Sequence, residues 1–401
     1  MSDRTTDELL RYRAEFPILE RTTYLVSNSL GAMPRTVPER LARYCSEWAE
    51  RGVRAWGEGW WEMPVTVGDE IAPLIGAGPG EVAMLPNVTT SQAAVLSALT
   101  YDSPRDSIVM TGLDFPSVRY VYDALATRLG ARIVVVPGDD GANESVDLDR
   151  LLEAIDERTR LVAVSHVLFR SAWVMDVDAI CRRAHEVGAL VSLDAFHSVG
   201  VLPVDVTKSG VDFLAGGVLK WLCGGPGGAF LYVSPRIRDQ LSPAFTGWQA
   251  HARPFAFEGE MEYADAAWRW LNGTPSIPSL YAATEGPRIV REAGVSAIRE
   301  KSVRQTGRLI ALADASGFPV RAPRDPARRG GTVAFDVPHA YEVSRALLAR
   351  DILVDYRPGA GIRVAPHFYT TDDELDLVVA AMREILESGA WRDFTAKGVV
   401  T

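Results

Sequence analysis

Lysine is nearly missing from this chain. Of its 42 basic residues only Lys208, Lys220, Lys301 and Lys397 are lysine, and the other 38 are arginine. A guanidinium stays protonated, so chemistry that needs a neutral amine has four places to look. Cysteine is scarce too. Cys45, Cys181 and Cys223 lie far apart, which suits a reduced compartment, gives no disulfide framework and forms no metal-ligand pattern. No stretch approaches the ~18 apolar residues of a membrane span. The opening MSDRTTDELLRYRAEF holds no apolar core of a secretion signal. Positive charge is not in excess either. A formal charge of −10 argues against nucleic acid or an anionic membrane as the main partner. These absences leave a cytoplasmic protein that works on a small molecule.

What is present is apolar and rhythmic. With 401 residues, 47% of them hydrophobic, the chain can bury a large core with a smaller companion beside it. Between about 79 and 233, the short runs EVAML, SIVMTG, RIVVVP, RLVAVSHV, ALVSLD, VDFLAGG and AFLYV each suit a strand buried on both faces. Amphipathic stretches separate them, such as DVDAICRRAHEVG, which Gly188 stops. In TTSQAAVLSAL, Thr89 and Gln92 suggest a capping box. The pattern predicts a seven-stranded, mostly parallel α/β sheet with helices on both sides.

After about 255 the rhythm changes. GTVAFDV, YEVSRALLAR, ILVDY and GIRVAP read as strand, helix, strand, strand. TDDELDLVVAAMREIL reads as a closing helix with a box from Thr371 to Glu374. The expected organisation is an arm over 1–25, a large α/β domain over 26–255, and connecting helices with a small α+β domain over 256–401.

One lysine stands out. In GGVLKWLCGGPGG, Lys220 sits among Val218, Leu219, Trp221 and Leu222, with glycines on both sides. Lys208 follows a Pro-Val-Asp-Val turn, Lys301 falls on a polar helix and Lys397 is in the tail. A buried lysine loses its proton readily, and a neutral amine attacks aldehydes to give a Schiff base. Pyridoxal phosphate needs, besides that amine, a carboxylate for its ring nitrogen, a flat group against its ring and a helix N-terminus for its phosphate. Asp194 ends the run ALVSLD, Phe115 follows another strand in LDFPSV, and PNVTTSQ puts Val88 and Thr89 at a strand-to-helix turn. Each has a plainer reading alone: a turn aspartate, a core phenylalanine, a capped helix. Four such residues at strand ends, where open α/β sheets hold ligands, are far less expected by chance.

PNVTT, DFPS, SLDAFHSVG, GGVLKWLCGGPGG, TGWQAH, NGTPSI and GIRVAP, with YLVSNSLGAMP near the start, resemble in order and spacing the kynureninase-like branch of the class V, fold-type I pyridoxal-phosphate enzymes. The resemblance spans roughly residues 20 to 390. It implies that Lys220 binds the cofactor covalently and takes the substrate Cα proton, and that Asp194 pairs with the ring nitrogen. It implies that Phe115 stacks on the ring, that His197 sits behind Asp194, and that Val88, Thr89 and Trp248 hold the phosphate. Gly273 and Thr274 are expected to reach across from a partner subunit of a homodimer. Arg363, Asn28 and Ser29 are expected on the amino-acid substrate, with Arg363 clamping its α-carboxylate as a bidentate pair.

The chain also departs from that pattern. Leu219 and Val118 replace polar residues expected near the cofactor, and Ala49 falls where some members carry a histidine. Arg170, in SHVLFRSAW, adds a positive charge that could meet a second acidic group of a substrate or an acidic neighbour in the chain; it is expected among the substrate-binding residues, facing an acidic or strongly polar group. The expected reaction is cleavage at Cβ of an L-amino acid other than kynurenine, as hydrolase or lyase. A cysteine S-conjugate β-lyase and a class V aminotransferase are the alternatives. A cysteine desulfurase is not expected, because no cysteine follows Cys223 to accept sulfur.

Overall fold

The computed structural model describes residues 7–139 and 144–394; Lys397 and the extreme tail assigned to it lie outside them. Strand β1 (Thr23–Tyr24) begins the ordered sheet structure. The strands β2 (Val82–Leu85), β3 (Ser107–Thr111), β4 (Arg132–Val136), β5 (Thr159–Ser165), β6 (Leu190–Asp194), β7 (Phe213–Gly217) and β8 (Ala229–Val233) follow. Each coincides with one of the seven apolar runs. They form one sheet in the order β2-β8-β7-β6-β5-β3-β4. Only β8 runs against its neighbours, and the remaining pairs are parallel.

The runs are continuous because alternate residues enter two different cores. Val109, Val162, Val164, Leu214 and Phe230 point to one face, with Val177, Ile180 and Ala184 of the helix Val177–Glu186. Ile108, Met110, Leu161, Ala163 and Phe213 point to the other, with Val95 and Leu96 of the helix Val88–Ser97 and Tyr122 of the helix Pro116–Ala126. Helices therefore cover both faces, and the carboxyl ends of β2, β3, β5, β6 and β7 gather along one edge.

A second, antiparallel sheet has the order β11-β12-β9, from β9 (Val333–Phe335), β11 (Asp355–Arg357) and β12 (Gly361–Val364). The run ILVDY, read above as one strand, divides around Val354. Its first half, β10 (Ile352–Leu353), pairs in parallel with β1, while Asp355 opens β11. The closing helix Asp372–Ser388 carries the expected reciprocal box between Thr371 and Glu374. The other expected box does not form. Asn87 caps the helix Val88–Ser97 by accepting the Thr90 N–H, and Gln92 turns inward to accept the Tyr122 hydroxyl at 2.8 Å. Among the described residues no helix is long and apolar enough to cross a membrane.

Candidate active site

The strand ends enclose a cavity of about 220 Å³ lined by Asn87, Val88, Thr89, Phe115, Asp194, His197 and Lys220, together with Ser117, Val118, Ser165, Val167, Phe169, Phe196 and Leu219. Lys220 follows β7 in a turn closed by bonds from Cys223 N–H to the Lys220 carbonyl and from Gly224 N–H to the Val218 carbonyl. Val218, Trp221 and Leu222 anchor that turn in the core, which leaves the lysine stem pointing into the cavity. The glycines around it answer to close approach. A Cβ on Gly217 would fall 2.4 Å from the Phe196 ring, and one on Gly31 would fall 2.2 Å from the Lys220 carbonyl oxygen. The segment Asn28–Gly31 is thereby clamped against the lysine turn.

The Lys220 amine lies 2.6 Å from His197 Nε2, 4.5 Å from the centre of the Phe196 ring and 5.6 Å from that of Phe115. Burial lowers its pKa to about 7, and the nearby Arg363 and Arg357 guanidiniums act in the same direction against Asp194 and Asp355. His197 is held well below its ordinary value by burial and then by Lys220. Two bases in contact in a dry pocket share at most one proton comfortably. Asp194 shows the converse. Burial raises its pKa to about 6, although the Phe196 N–H donates to its Oδ1 at 2.9 Å and Lys220 favours its charged form. Beside it, the buried Asp114 accepts the N–H and hydroxyl of Thr111 and the N–H of Ser165, at 2.7 to 2.9 Å. This pins the end of β3, and with it Phe115, to the end of β5. Phe115 then caps its helix with its ring partly exposed to the cavity and edge-on to Phe169.

The anion end is the start of the helix Val88–Ser97. Asn87 takes the third N–H, at Thr90, so the N–H groups of Val88 and Thr89 are left for a ligand. Asn28 is fully buried, and neither its amide nitrogen nor its oxygen has a partner among the described residues. Ser29 Oγ receives Arg357 at 3.4 Å.

Other expected site residues lie elsewhere. Trp248 is not with Val88 and Thr89: it lines a separate cleft with His251 and Phe257, its Nε1–H donates to the Pro254 carbonyl at 2.5 Å, and its ring meets Trp61 edge-on. Gly273 and Thr274 line another small cleft beside Leu85 and Pro86. Arg363 is buried next to the cavity residue Phe169, donating to its carbonyl at 2.7 Å, and is paired through Nε and Nη2 with Asp355. Arg170 does not line the cavity. It faces Glu144 at 4.0 Å and packs over the Phe169 ring, which favours the acidic neighbour over a substrate group. Ala49 is exposed on the helix Val37–Arg51, whereas Leu219 and Val118 do line the cavity. Phe169 and Phe196 were missed; both follow a strand end within four residues, the same signal that marked Phe115.

Residues 23–372 match the family model for aminotransferase class-V. The chain belongs to the aminotransferase class V family. Kynureninase from Burkholderia pseudomallei is 32% identical over 410 residues, covering 98% of this chain and 97% of that protein. Kynureninase from Pseudomonas fluorescens is 33% identical over 402 residues, covering 96% and 94%. Among solved structures, an apo cysteine desulfurase from Thermococcus onnurineus NA1 superposes with a TM-score of 0.83 at 23% identity, covering 96% of this chain and 99% of its own. A cystine C–S lyase bound to its product cysteine persulfide gives 0.83 at 21%, covering 92% and 99%. At those identities the structures speak for the fold alone, a fold-type I α/β architecture. Class V enzymes depend on pyridoxal 5'-phosphate, and this is a pyridoxal-phosphate enzyme. The donor set fits that group: an amine near neutrality, a buried carboxylate, an exposed ring edge, and two free N–H groups at a helix start.

Proposed function

We propose that this class V enzyme activates Cα of an L-amino acid and breaks a bond at Cβ in the manner of a kynureninase. The observation that carries this reading is the placement of Lys220, His197 and Asp194 around one cavity, with the Val88 and Thr89 N–H groups beyond them. Bound pyridoxal phosphate supplies an electrophilic aldehyde and a ring that holds the electron pair left at Cα. Lys220 would be the attachment point and the base that takes the Cα proton. A pKa near neutrality suits that exchange. Asp194 would hold the ring nitrogen, and a positive charge there would offset the burial that raises the pKa of the carboxylate. Phe115 supplies the flat contact, Val88 and Thr89 receive the phosphate, and His197 keeps the amine oriented. Asn28, Ser29 and Arg363 receive the amino acid, with the α-carboxylate on the guanidinium.

Leu219, Val118, Val167, Phe169 and Phe196 give the cavity largely apolar walls. Leu219 and Val118 offer no polar partner to the ring amine of kynurenine, so kynurenine itself is expected to be a poor substrate. Trp248, Gly273 and Thr274 share one neighbourhood, where Gln249 N–H donates to the Asn272 carbonyl at 3.1 Å. Their separation from Lys220 within one chain supports a homodimer in which they complete the partner's phosphate site.

A mass-spectrometric screen of amino acids against the purified holoenzyme tests the reaction. Alanine with a carboxylic acid is the expected product pair. Pyruvate with ammonia would indicate a β-lyase, and turnover only with an added keto acid an aminotransferase.

A further inference from the structure

The hairpin of β11 and β12 gathers three charged side chains, Asp355, Arg357 and Arg363. Asp355 and Arg363 are direct cross-strand partners in the antiparallel register, and Arg357 lies two residues from Asp355, on the same face of β11. Asp355 and Arg363 are buried. Asp355 takes Nε–H of Arg363 at 2.8 Å and an Nη2–H as well, and its Oδ2 lies 3.3 Å from Arg357 Nη2. Arg357 in turn reaches Ser29, in the segment clamped against Lys220.

Counting donors shows what remains. Arg363 has five N–H groups. Two go to Asp355 and one, on Nη1, goes to the Phe169 carbonyl. One N–H on each terminal nitrogen is left to donate to a ligand. Two guanidiniums and one carboxylate also leave the cluster one positive charge in excess. That excess is removed by one more carboxylate.

We infer that Asp355 is a positioning residue: it holds Arg363 and Arg357 together as a joint receptor for the carboxylate of the substrate. This rests on the reading that Arg363 faces an amino-acid substrate. It adds that Asp355 fixes which edge of the fork is offered, and that Arg357 is a second cation of the same receptor. Asn at 355 would present an amide donor to one of the guanidinium nitrogens, so the fixed edge is lost although the volume is kept.

The test is spectral titration of the holoenzyme with L-alanine and with L-alaninamide, which lacks the carboxylate charge. Asp355→Asn is expected to raise Kd for L-alanine by about tenfold or more, the loss of a charged hydrogen bond, and to leave L-alaninamide and cofactor retention nearly unchanged. Arg357→Gln is expected to discriminate in the same sense by about threefold to tenfold, and it carries the test if Asp355→Asn does not fold. Unchanged or tighter L-alanine binding in the variant that folds would overturn the inference. Arg363→Gln tests the parent reading separately. If it fails to distinguish L-alanine from its amide, Arg363 is not the carboxylate receptor at all.

Discussion

Lys220 and Lys301 both carry their amines inside the protein, and they have opposite surroundings. Lys301, on the helix Val295–Ala315, donates to the Phe368 carbonyl at 2.6 Å and lies 2.8 Å from an Asp7 carboxylate oxygen. Burial lowers its pKa, while Asp7 pushes it back up. Two of its three N–H donors are used where it stands. Lys220 has no carboxylate or carbonyl within bonding distance among the described residues. It has a histidine nitrogen, two aromatic rings and a cavity, and it falls to about 7. Burial lowers the pKa of both amines, and at Lys301 a bonded carboxylate offsets it, whereas Lys220 has only the more distant charges of Asp194 and Asp355 in its favour.

Lys220→Ala should give the largest effect. Removing the base is expected to slow turnover by about 100- to 10 000-fold and to leave cofactor that gel filtration strips away; steady-state rates and the cofactor absorbance check both. Lys301→Met should sharpen the contrast by doing the reverse. It leaves the Phe368 carbonyl and Asp7 without their donor, so denaturant unfolding should show a loss of about 1–3 kcal/mol while kcat stays close to that of the parent. The smallest effect is in pH. Only the unprotonated amine attacks an aldehyde, so raising the pH through the pKa frees it. Cofactor uptake by the apoprotein should rise with pH and reach half its maximum near 7 rather than near the 10.4 of an ordinary lysine. A midpoint near the ordinary value would break the comparison.

Lys220 and Lys301 also mark how far the sequence could be read. The seven strands were legible because residues entering two cores leave an unbroken apolar run, and Lys220, Asp194 and Phe115, which end or follow such runs, are brought together around one cavity. Lys301 does lie on a polar helix, but its burial there was not legible. Ser302, Gln305 and Thr306 surround it in sequence and are buried with it. Their polar face turns inward because Phe368 and Thr370, more than sixty positions away, present carbonyls to Lys301 and Gln305. No local periodicity reports such a partner. The pairing of Asp355 with Arg363 was hidden for a related reason. The alternation in DYRPGAGIR is visible, but it takes the register of β11 on β12 to set one residue opposite the other. Trp248 resembles a phosphate ligand by its place in TGWQAH, and only the three-dimensional path shows that its own chain carries it into another cleft.

The central claim, that Lys220 is the amine that carries the cofactor, is tested most directly by reducing the holoenzyme with borohydride and mapping the modified peptide by mass spectrometry. The account predicts a single label, on the peptide containing Lys220 in GGVLKWLCGGPGG. A label on the peptide of Lys208, Lys301 or Lys397 would contradict it.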